Sequence, residues 1–407
     1  MSSHIRSSRT PRSRRLAPLI VPLSALALTL VGVAGGPAQA RAGAPRANAA
    51  SAGVIPVANG AWTYDVGTAG RFVATVNSYN AEAAAGHQLN QLFPYATDME
   101  MYCPNNKPAK CTPSDLQSYY TPGSSGWAST GAYASGLTLP NVSLSPIIDG
   151  RTDTGGYLIG FNSLSKSLAD TYADQVAAQL CADQRISGIQ FDIEPFNVTT
   201  KNGQYDFYLQ IAKDFAGLHT GSTSSDPYGC VSSTHPAGRY FSVFTFATSI
   251  QPGTAEAANV AAFTSAYHNG YVIDSLYDLG TNPAGSLNDL PTYQTLVTQQ
   301  ANDMKTWADQ DGIPYAFGIP AAASVHEYET CTGTCVAGAN GTTGNPMTSY
   351  DQEAVAAINA SGATSDSLFH GTDIWDFGTS TTSGGATVTP YTAQSDVLSY
   401  LATHLPS

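Results

Sequence analysis

Two carboxylic acids lie two positions apart at the end of an alternating stretch, residues 187–195. Apolar and polar residues alternate in this stretch, and in an extended chain a period of two directs them to opposite faces. Gln190, Asp192 and Glu194 therefore share one face of a predicted strand. Two neighbouring carboxyl groups in unlike environments can be held in different protonation states, as acid catalysis requires. The pair predicts a catalytic site, with a solvated strand end as the alternative.

The elements that must position this pair follow from the hydrophobic pattern of the second half of the chain. Five predicted strands, each followed by a predicted helix, succeed one another there. The strands span residues 188–194, 240–246, 271–279, 313–320 and 372–377, and the helices span residues 205–218, 255–268, 293–310, 350–360 and 394–404. Strands that alternate with helices of this length predict a parallel sheet with helical crossovers.

The first half of the chain is less regular, but it accommodates three more units of the same kind. They are a strand at 72–77 with a helix at 81–92, a strand at 98–102 with a helix at 113–120, and a strand at 141–148 with a helix at 168–180. Eight such units predict an α/β fold, a single-domain (β/α)8 barrel with residues 188–194 as its fourth strand. An open doubly wound sheet is the alternative, although the chain lacks its Gly-rich phosphate turn.

A barrel of this type carries its functional groups at the carboxyl ends of its strands. Glu194 ends the predicted fourth strand, Tyr277 and Asp278 end the sixth, and Trp375 lies at the end of the eighth. We therefore expect these side chains to meet at one rim. Judged singly, Tyr277 is equally well explained as a strand aromatic and Trp375 as a barrel plug; their convergence favours a site.

Other polar residues lie at or near the ends of the predicted first-half strands. Asn77 ends the first of them, Asp98 lies in the second, and Asp149 follows the third. We predict that Asn77 and Asp98 contact substrate at the rim. The alternative is an ordinary solvated strand end, since polar side chains are expected at such positions in any barrel.

The first forty residues have the pattern of a secretory signal. Five arginines precede an apolar run at residues 16–33, and Ala38-Gln39-Ala40 supplies a small-residue cleavage pattern. We predict that residues 1–40 are removed, that residues 41–60 are a flexible linker and that residues 61–407 form the barrel. The protein is then secreted and extracellular. A retained membrane anchor is the alternative for the apolar run.

The charge of the chain excludes some classes of partner and favours others. Seventeen basic residues face thirty acidic ones, and loss of the five signal arginines moves the net charge from −13 to −18. This balance disfavours nucleic acid and anionic membranes as partners. Twenty-two tyrosines suit a surface that binds an oligosaccharide or glycan, although core packing explains them equally well. We expect a monomer.

Cysteine and histidine usage predicts disulfides and no metal. Six cysteines in an exported chain favour disulfide bonds. Proximity in sequence favours the pairs Cys103–Cys111, Cys331–Cys335 and Cys181–Cys230, although six cysteines permit fifteen pairings. The eight histidines are scattered and no Cys–His cluster has zinc spacing, so neither a metal nor another cofactor is expected.

The residues around the acidic pair resemble a known motif. Residues 187–194 resemble the DGxDxDxE signature on the fourth strand of glycoside hydrolase family 18, which includes chitinases and endo-β-N-acetylglucosaminidases. Residues 275–278 resemble the MxYD pattern of its sixth strand, residues 318–321 are similar to the G-x-P of its seventh, and Ile374-Trp375 is similar to its eighth-strand tryptophan. The chain departs from the signature at Ser187 and Gln190, where the family has aspartates.

The resemblance implies a secreted retaining glycoside hydrolase that cleaves β-linked N-acetylglucosamine-containing glycans by substrate-assisted catalysis. Glu194 would be the general acid and base, Asp192 would orient the acetamido group, and Tyr277 would donate a hydrogen bond to its oxygen. Trp375 would stack under the sugar. Gln190, which would donate an N–H to Asp192, and Asp278 are further predicted substrate-binding residues.

Two other functions remain open at this stage. A non-catalytic, lectin-like barrel would explain the replaced aspartates. A two-carboxylate retaining glycosidase would use Glu194 as its acid and a strand-seven glutamate, Glu327 or Glu329, as its nucleophile. Against the second, Ile193 occupies a position where such enzymes usually have asparagine. Asp192 and Glu194, at i and i+2 of one strand, cannot themselves flank a glycosidic bond from opposite sides, and a nucleophile supplied by the substrate's acetamide removes this difficulty.

Overall fold

Eight parallel strands form a closed barrel in a computed structural model of the chain. The structure describes residues 54–63, 69–101, 107, 110, 112, 116–118, 142–151, 160–218, 226–277, 279, 290–321, 335–336, 347–377, 387–388 and 395–407. All of these residues belong to one compact unit. The barrel is closed because its first strand pairs with both the second and the last barrel strand.

The strands of the described part of the chain are numbered in chain order. They are β1 (Asn59–Thr63), β2 (Leu89–Met101), β3 (Leu116–Ser118), β4 (Ser143–Leu144), β5 (Ile147–Arg151), β6 (Gly188–Glu194), β7 (Tyr240–Thr245), β8 (Gly270–Ser275), β9 (Tyr315–Pro320), β10 (Cys335–Val336), β11 (Phe369–Trp375) and β12 (Thr387–Val388). The barrel uses β1, β2, β5, β6, β7, β8, β9 and β11 in that order, so β6 is the fourth barrel strand and lies opposite β11.

Helices connect most of these strands across the outside of the barrel. They are α1 (Ala69–Glu82), α2 (Lys166–Cys181), α3 (Gly203–Phe215), α4 (Ala255–Ser265), α5 (Leu290–Asp311), α6 (Met347–Ser361) and α7 (Ser395–His404). Short polar side chains begin several of them, because the first N–H groups of a helix have no partner within it. Asn202 accepts from the N–H of Tyr205 at 3.0 Å, and Thr254 accepts from that of Ala257 at 3.1 Å.

The two faces of each barrel strand pack into different clusters. The apolar face of β6, with Ile189, Phe191 and Ile193, belongs to the large cluster between barrel and helices. Phe191, for example, meets Phe207 of α3 edge to face, with ring centroids 5.3 Å apart. Inward-facing residues form a smaller cluster that fills the barrel: Trp62, Phe93, Ile147, Tyr240, Tyr271, Ile273 and Ala316. The alternation of β6 therefore directs its polar face into the barrel.

The predicted fold is confirmed, and so are the five strand–helix units of the second half. The third unit is also confirmed, as β4 and β5 followed by α2. Residues 188–194 form the fourth barrel strand as predicted. The disulfide predicted between Cys181 and Cys230 is present, with Cα atoms 4.7 Å apart. The other two predicted pairs include cysteines outside the described residues.

The first predicted unit is wrong, and the second is correct only for part of its strand. Residues 72–77 lie in α1 and not in a strand, because Phe72, Val73 and Val76 recur at helical spacing and pack into the outer core. The first barrel strand is β1, buried at every position and therefore without the alternation that predicts a strand. It begins at Asn59, inside the predicted linker.

The predicted 98–102 strand is only the end of the long strand β2, which begins at Leu89 where a helix was expected. The predicted helix at 113–120 is contradicted at residues 116–118, which form β3, antiparallel to the end of β2. Backbone pairing with that strand, made across the sheet, overrides the local helical pattern. No helix in the described ranges combines the length and apolar character needed to cross a bilayer.

Candidate active site

The acidic pair lies on the inner face of the barrel at the carboxyl end of β6. Glu194 is the last residue of this strand and is exposed, while Asp192 is partly buried. The strand takes this orientation because three large apolar side chains, at 189, 191 and 193, must be buried against the helices. The burial of one face thus fixes the direction of the polar face.

Acidic positions are aligned across three neighbouring strands at this rim. In the parallel register, Asp149 of β5 is the partner of Asp192, and Asp98 of β2 is the partner of Asp149. One step further along, Arg151 is the register partner of Glu194. Asp149 faces inward, since Ile147 belongs to the cluster that fills the barrel and Ile148 to the outer core. The register therefore brings Asp149 and Asp192 to one height on one face.

Aromatic rings occupy the same end of the barrel. Tyr277, just beyond β8, stacks on Trp375 of β11, with ring centroids 4.9 Å apart and planes 20° apart. The ring of Phe244 on β7 is also stacked with Tyr277, at 6.1 Å, and Trp62 meets Phe244 edge to face at 6.0 Å. Trp375 is partly exposed and belongs to the strand opposite β6. Trp375 thus lies on the strand opposite the carboxyl groups, and the rings of Tyr277 and Phe244 lie between them along β8 and β7.

Backbone contacts hold the two stacked rings in place. The Ser275 hydroxyl donates to the carbonyl of Tyr277 at 2.7 Å, which fixes the turn after β8. A Cβ at Gly318 would lie 3.4 Å from the Tyr277 ring, so the small residue lets the ring lie close to β9. The Trp375 carbonyl accepts from the N–H of Ala321 at 2.7 Å, and the Trp375–Asp376 peptide bond is cis.

Gln190 lies below the rim, where its surroundings differ from the prediction. Its side chain is completely buried, its carbonyl oxygen accepts from the Ser242 hydroxyl, and its amide nitrogen donates to the Phe191 carbonyl at 3.0 Å. Complete burial places it out of reach of a substrate. Its hydrogen bonds run to Ser242 and Phe191 rather than along the predicted N–H bond to Asp192.

A polar network closes the barrel interior further down. Gln91 donates from its amide to the hydroxyls of Tyr240 at 3.2 Å and Tyr271 at 3.0 Å. Asp373 of β11 is buried beside this network, and burial raises the pKa of its carboxyl well above the ordinary value, so that its neutral form is favoured. Burial also raises the pKa of Tyr271. Packed side chains thus fill the barrel interior beneath the rim.

The predicted site residues fall into three groups. Asp192, Glu194, Tyr277 and Trp375 lie at or just beyond the carboxyl ends of barrel strands. Asp98 is the register partner of Asp149 on β2, at the same end of the barrel. Asp278 lies outside the described residues. Asn77 lies within α1, so the strand end that placed it at the rim does not exist.

Sequence reasoning missed Phe244 and Trp62, which extend the aromatic surface. Phe244 occurs in a run of six residues, Tyr240–Thr245, that is buried almost throughout. Because such a strand shows no alternation, nothing in the sequence distinguishes its inner from its outer side chains. Within the described residues, no group of three or more potential ligands forms a metal site.

Comparisons with known proteins give structural likeness at low identity. No family model and no curated protein matches the sequence. Similar solved structures include an endo-β-1,4-glucanase from Xanthomonas axonopodis pv. citri, 12% identical over 84% of this chain and 91% of that one, with a TM-score of 0.47. A family 18 chitinase from Pseudoalteromonas aurantia is 12% identical over 79% and 94%, with a TM-score of 0.42. An endo-α-mannosidase from Bacteroides thetaiotaomicron is 11% identical over 86% and 96%, with a TM-score of 0.44.

Proposed function

We propose that this chain is a secreted retaining glycoside hydrolase that cleaves β-linked N-acetylglucosamine-containing glycans with the help of the substrate's own acetamido group. One observation carries the proposal. Asp192 and Glu194 face into one end of a closed barrel, and the stacked rings of Tyr277 and Trp375 lie at that same end. A glycan bound there would contact the carboxyl groups of β6 and the aromatic faces of Tyr277 and Trp375.

The spacing of the two acids determines which mechanism is open to them. Residues at i and i+2 of a strand are separated by roughly 6.6 Å along one face. They approach a glycosidic bond from the same side, so one cannot act as acid while the other attacks from the opposite face. A nucleophile within the substrate removes this conflict, because the acetamido oxygen lies on the far side of the scissile bond.

The first step consumes the proton of Glu194. The Glu194 carboxyl gives its proton to the glycosidic oxygen, and the bond from that oxygen to the anomeric carbon breaks. The acetamido carbonyl oxygen forms a new bond to the same carbon, giving a positively charged oxazolinium ring and a free alcohol. Asp192, as a carboxylate, accepts from the acetamido N–H and stabilises the positive charge. The Tyr277 hydroxyl donates to the acetamido oxygen and orients it.

The second step restores the enzyme. Glu194, now a carboxylate, takes a proton from water while the water oxygen bonds to the anomeric carbon. The ring opens, the acetamido group re-forms, and the configuration at the anomeric carbon is retained. Trp375 supplies a partly exposed aromatic face on which the sugar ring stacks.

Paired substrates test the acetamido requirement. We expect turnover of p-nitrophenyl di-N-acetylchitobioside with retained anomeric configuration, followed by NMR, and no turnover of the matching cellobioside, which lacks the acetamido groups. N-acetylglucosamine-thiazoline, a stable mimic of the oxazoline, should inhibit. Equal turnover of both substrates without inhibition would contradict the proposal and favour a two-carboxylate enzyme, whose candidate nucleophiles Glu327 and Glu329 lie outside the described residues.

A lectin-like barrel is the second candidate, and a specific observation favours it. Position 190 holds an amide that is buried and committed to Ser242 and Phe191. An amide cannot exchange a proton with Asp192, so this position offers no titratable support to catalysis. A protein that binds chitooligosaccharides without cleaving them would fit this reading.

A further inference from the structure

The support of Asp192 is the feature that the proposed function leaves unexplained. For Asp192 to accept the acetamido N–H, one of its oxygens must point at the substrate while the carboxylate is held in place. A donor on the other oxygen provides this orientation and favours the ionised form. The amide of Gln190, two residues earlier, has its described hydrogen bonds to Ser242 and Phe191. The neighbouring strand offers a candidate for this donor.

The register supplies a carboxyl group at the matching position. Asp149 is the parallel-register partner of Asp192 on the adjacent strand β5. The two flanking register pairs, Ile147 with Gln190 and Arg151 with Glu194, keep the strands aligned on both sides. Adjacent strands lie roughly 4.8 Å apart, and aligned residues direct their side chains to the same face. Asp149 and Asp192 are therefore neighbours on the inner face of the barrel.

The outer face confirms the direction in which Asp149 points. Ile148, before it, packs into the core beneath the helices. After it, a Cβ added at Gly150 would lie 3.1 Å from Ile193 and 3.2 Å from Phe161, both members of that outer core. Since the residues on either side of Asp149 face outward, Asp149 faces into the barrel.

We propose that Asp149 is a positioning residue for Asp192 and that the two carboxyl groups share one proton, with Asp149 donating to the Asp192 carboxylate. This inference rests on the proposed function for its consequence in catalysis, but the pairing itself does not depend on it. Two carboxyl groups on paired positions of neighbouring strands do not both ionise freely, so their protons leave in two coupled steps. In the singly protonated pair, Asp192 keeps one oxygen for the acetamido N–H.

Other ionisable residues surround the pair, and each must be considered. Asp98 is the register partner of Asp149 on β2, and Tyr95 lies three residues earlier on the same strand. Arg151 and Glu194 are register partners two residues further along β5 and β6. Glu194 is a further carboxyl group on the inner face of β6 and opposes ionisation of the pair. None of these replaces the contact between register partners, because each is one strand or one step further away from Asp192.

Two substitutions at position 149 separate a shared proton from simple packing. Asp149→Asn retains a donor for Asp192 but cannot titrate, whereas Asp149→Ala removes the donor. Asp309→Asn, at an exposed position on α5 that pairs with Lys305, is the matched control. The first measurement is the pH titration of the Asp192 carboxyl by 13C NMR of aspartate-labelled protein, with Asp192→Asn to assign the resonance. It requires no glycan.

In the wild type we expect the Asp192 resonance to titrate in two steps, and in Asp149→Asn in one. The affinity for N-acetylglucosamine-thiazoline is measured by calorimetry across pH. In Asp149→Asn, one step in the pH dependence of this affinity should disappear, while the affinity at the optimal pH stays within about threefold of the wild type. Asp149→Ala should weaken the binding of the thiazoline roughly tenfold or more, because a hydrogen bond to a charged group is lost.

A single-step Asp192 titration in the wild type, unchanged in Asp149→Asn, would overturn the pairing whether or not the protein cleaves glycans. A coupled titration in a protein that neither binds the thiazoline nor turns over the chitobioside would leave the pairing standing and contradict the proposed function. The two failures therefore give different results.

Discussion

At the scale of single residues, the chemistry depends on the face of β6 that each side chain occupies. Burial of three apolar side chains turns Asp192 and Glu194 inward, and a shift of one residue would turn both against the helices. Gln190 also faces inward, but it lies deeper in the barrel, where the Ser242 hydroxyl donates to its side-chain oxygen. One strand thus carries a structural amide and two carboxyl groups, distinguished by their depth.

Substitution of the exposed acid is the first residue-scale prediction. We expect Glu194→Gln to lower turnover of the chitobioside at least about 10²-fold, because a well-placed general acid contributes roughly 10²–10⁴ in rate. Binding of the uncleaved oligosaccharide should remain, since the amide has nearly the same shape. Steady-state kinetics and calorimetry measure the two effects.

Glu82→Gln, at an exposed position at the end of α1, is the control and should be silent. Turnover by Glu194→Gln close to that of the wild type would remove the proposed role of Glu194. Binding by a wild-type protein that shows no turnover at all would favour the lectin-like reading.

At the scale of elements, a buried polar cluster joins α2 to α3. Gln210 donates from its amide to Asp174 at 2.9 Å and to Asp214 at 3.0 Å. Burial, together with the neighbouring Asp174 carboxyl, raises the pKa of Asp214 to about 9. The folded protein therefore binds a proton at Asp214 that the unfolded chain releases near pH 4. The packing of these two helices, which cover β5 and β6, is linked to pH.

The sign of this linkage gives the second prediction. Between about pH 4 and 9 the folded state binds more protons than the unfolded state at this group, so its contribution to stability falls as pH rises, by up to about 1.4 kcal/mol per pH unit. Asp214→Asn cannot titrate and removes this contribution. We expect the variant to gain stability relative to the wild type steadily from pH 5 to 8, in denaturant unfolding at each pH. If the free energies of unfolding of the wild type and the variant changed in parallel with pH, the raised pKa of Asp214 would be contradicted.

At the scale of the whole molecule, the barrel separates chemistry from stability. The carboxyl ends of the strands carry the acids and the stacked aromatics, while the Cys181–Cys230 disulfide joins the last residue of α2 to the segment before β7, near the amino ends of the strands. Both cysteines are buried, and their disulfide bond links two segments of the chain that are 49 residues apart in sequence. A change at one end of the barrel should therefore leave the other end intact.

Removal of the disulfide tests this separation. We expect the double substitution Cys181→Ala with Cys230→Ala to lower the free energy of unfolding by roughly 2–4 kcal/mol, because the unfolded chain regains the freedom of the closed loop. At a temperature where the variant is folded, its kcat/KM should equal that of the wild type. A selective loss of kcat/KM without loss of stability would contradict the separation of the two ends.

The second half of the barrel was predictable because its elements are locally encoded. Helical spacing in α3 and alternation in β6 are visible within each segment, and the order of the segments implies the parallel sheet. The prediction for the first half was wrong where the local hydrophobic pattern is weak. β1 is buried at all five positions and shows no period, while Phe72 and Val76 have strand propensity in a segment that packs as a helix.

The sequence by itself determined that Asp192 and Glu194 share a face and that Tyr277 and Trp375 lie at the ends of barrel strands, and it favoured the pairing of Cys181 with Cys230. Only the tertiary structure decided that Asp149 is the neighbour of Asp192, that Ser242 seals Gln190, and that Phe244 lies against Tyr277. The physical reason is the distance along the chain over which each kind of signal acts. A period of two or 3.6 is a property of adjacent residues, whereas register and cross-strand contacts arise when distant segments are brought together by closure of the barrel.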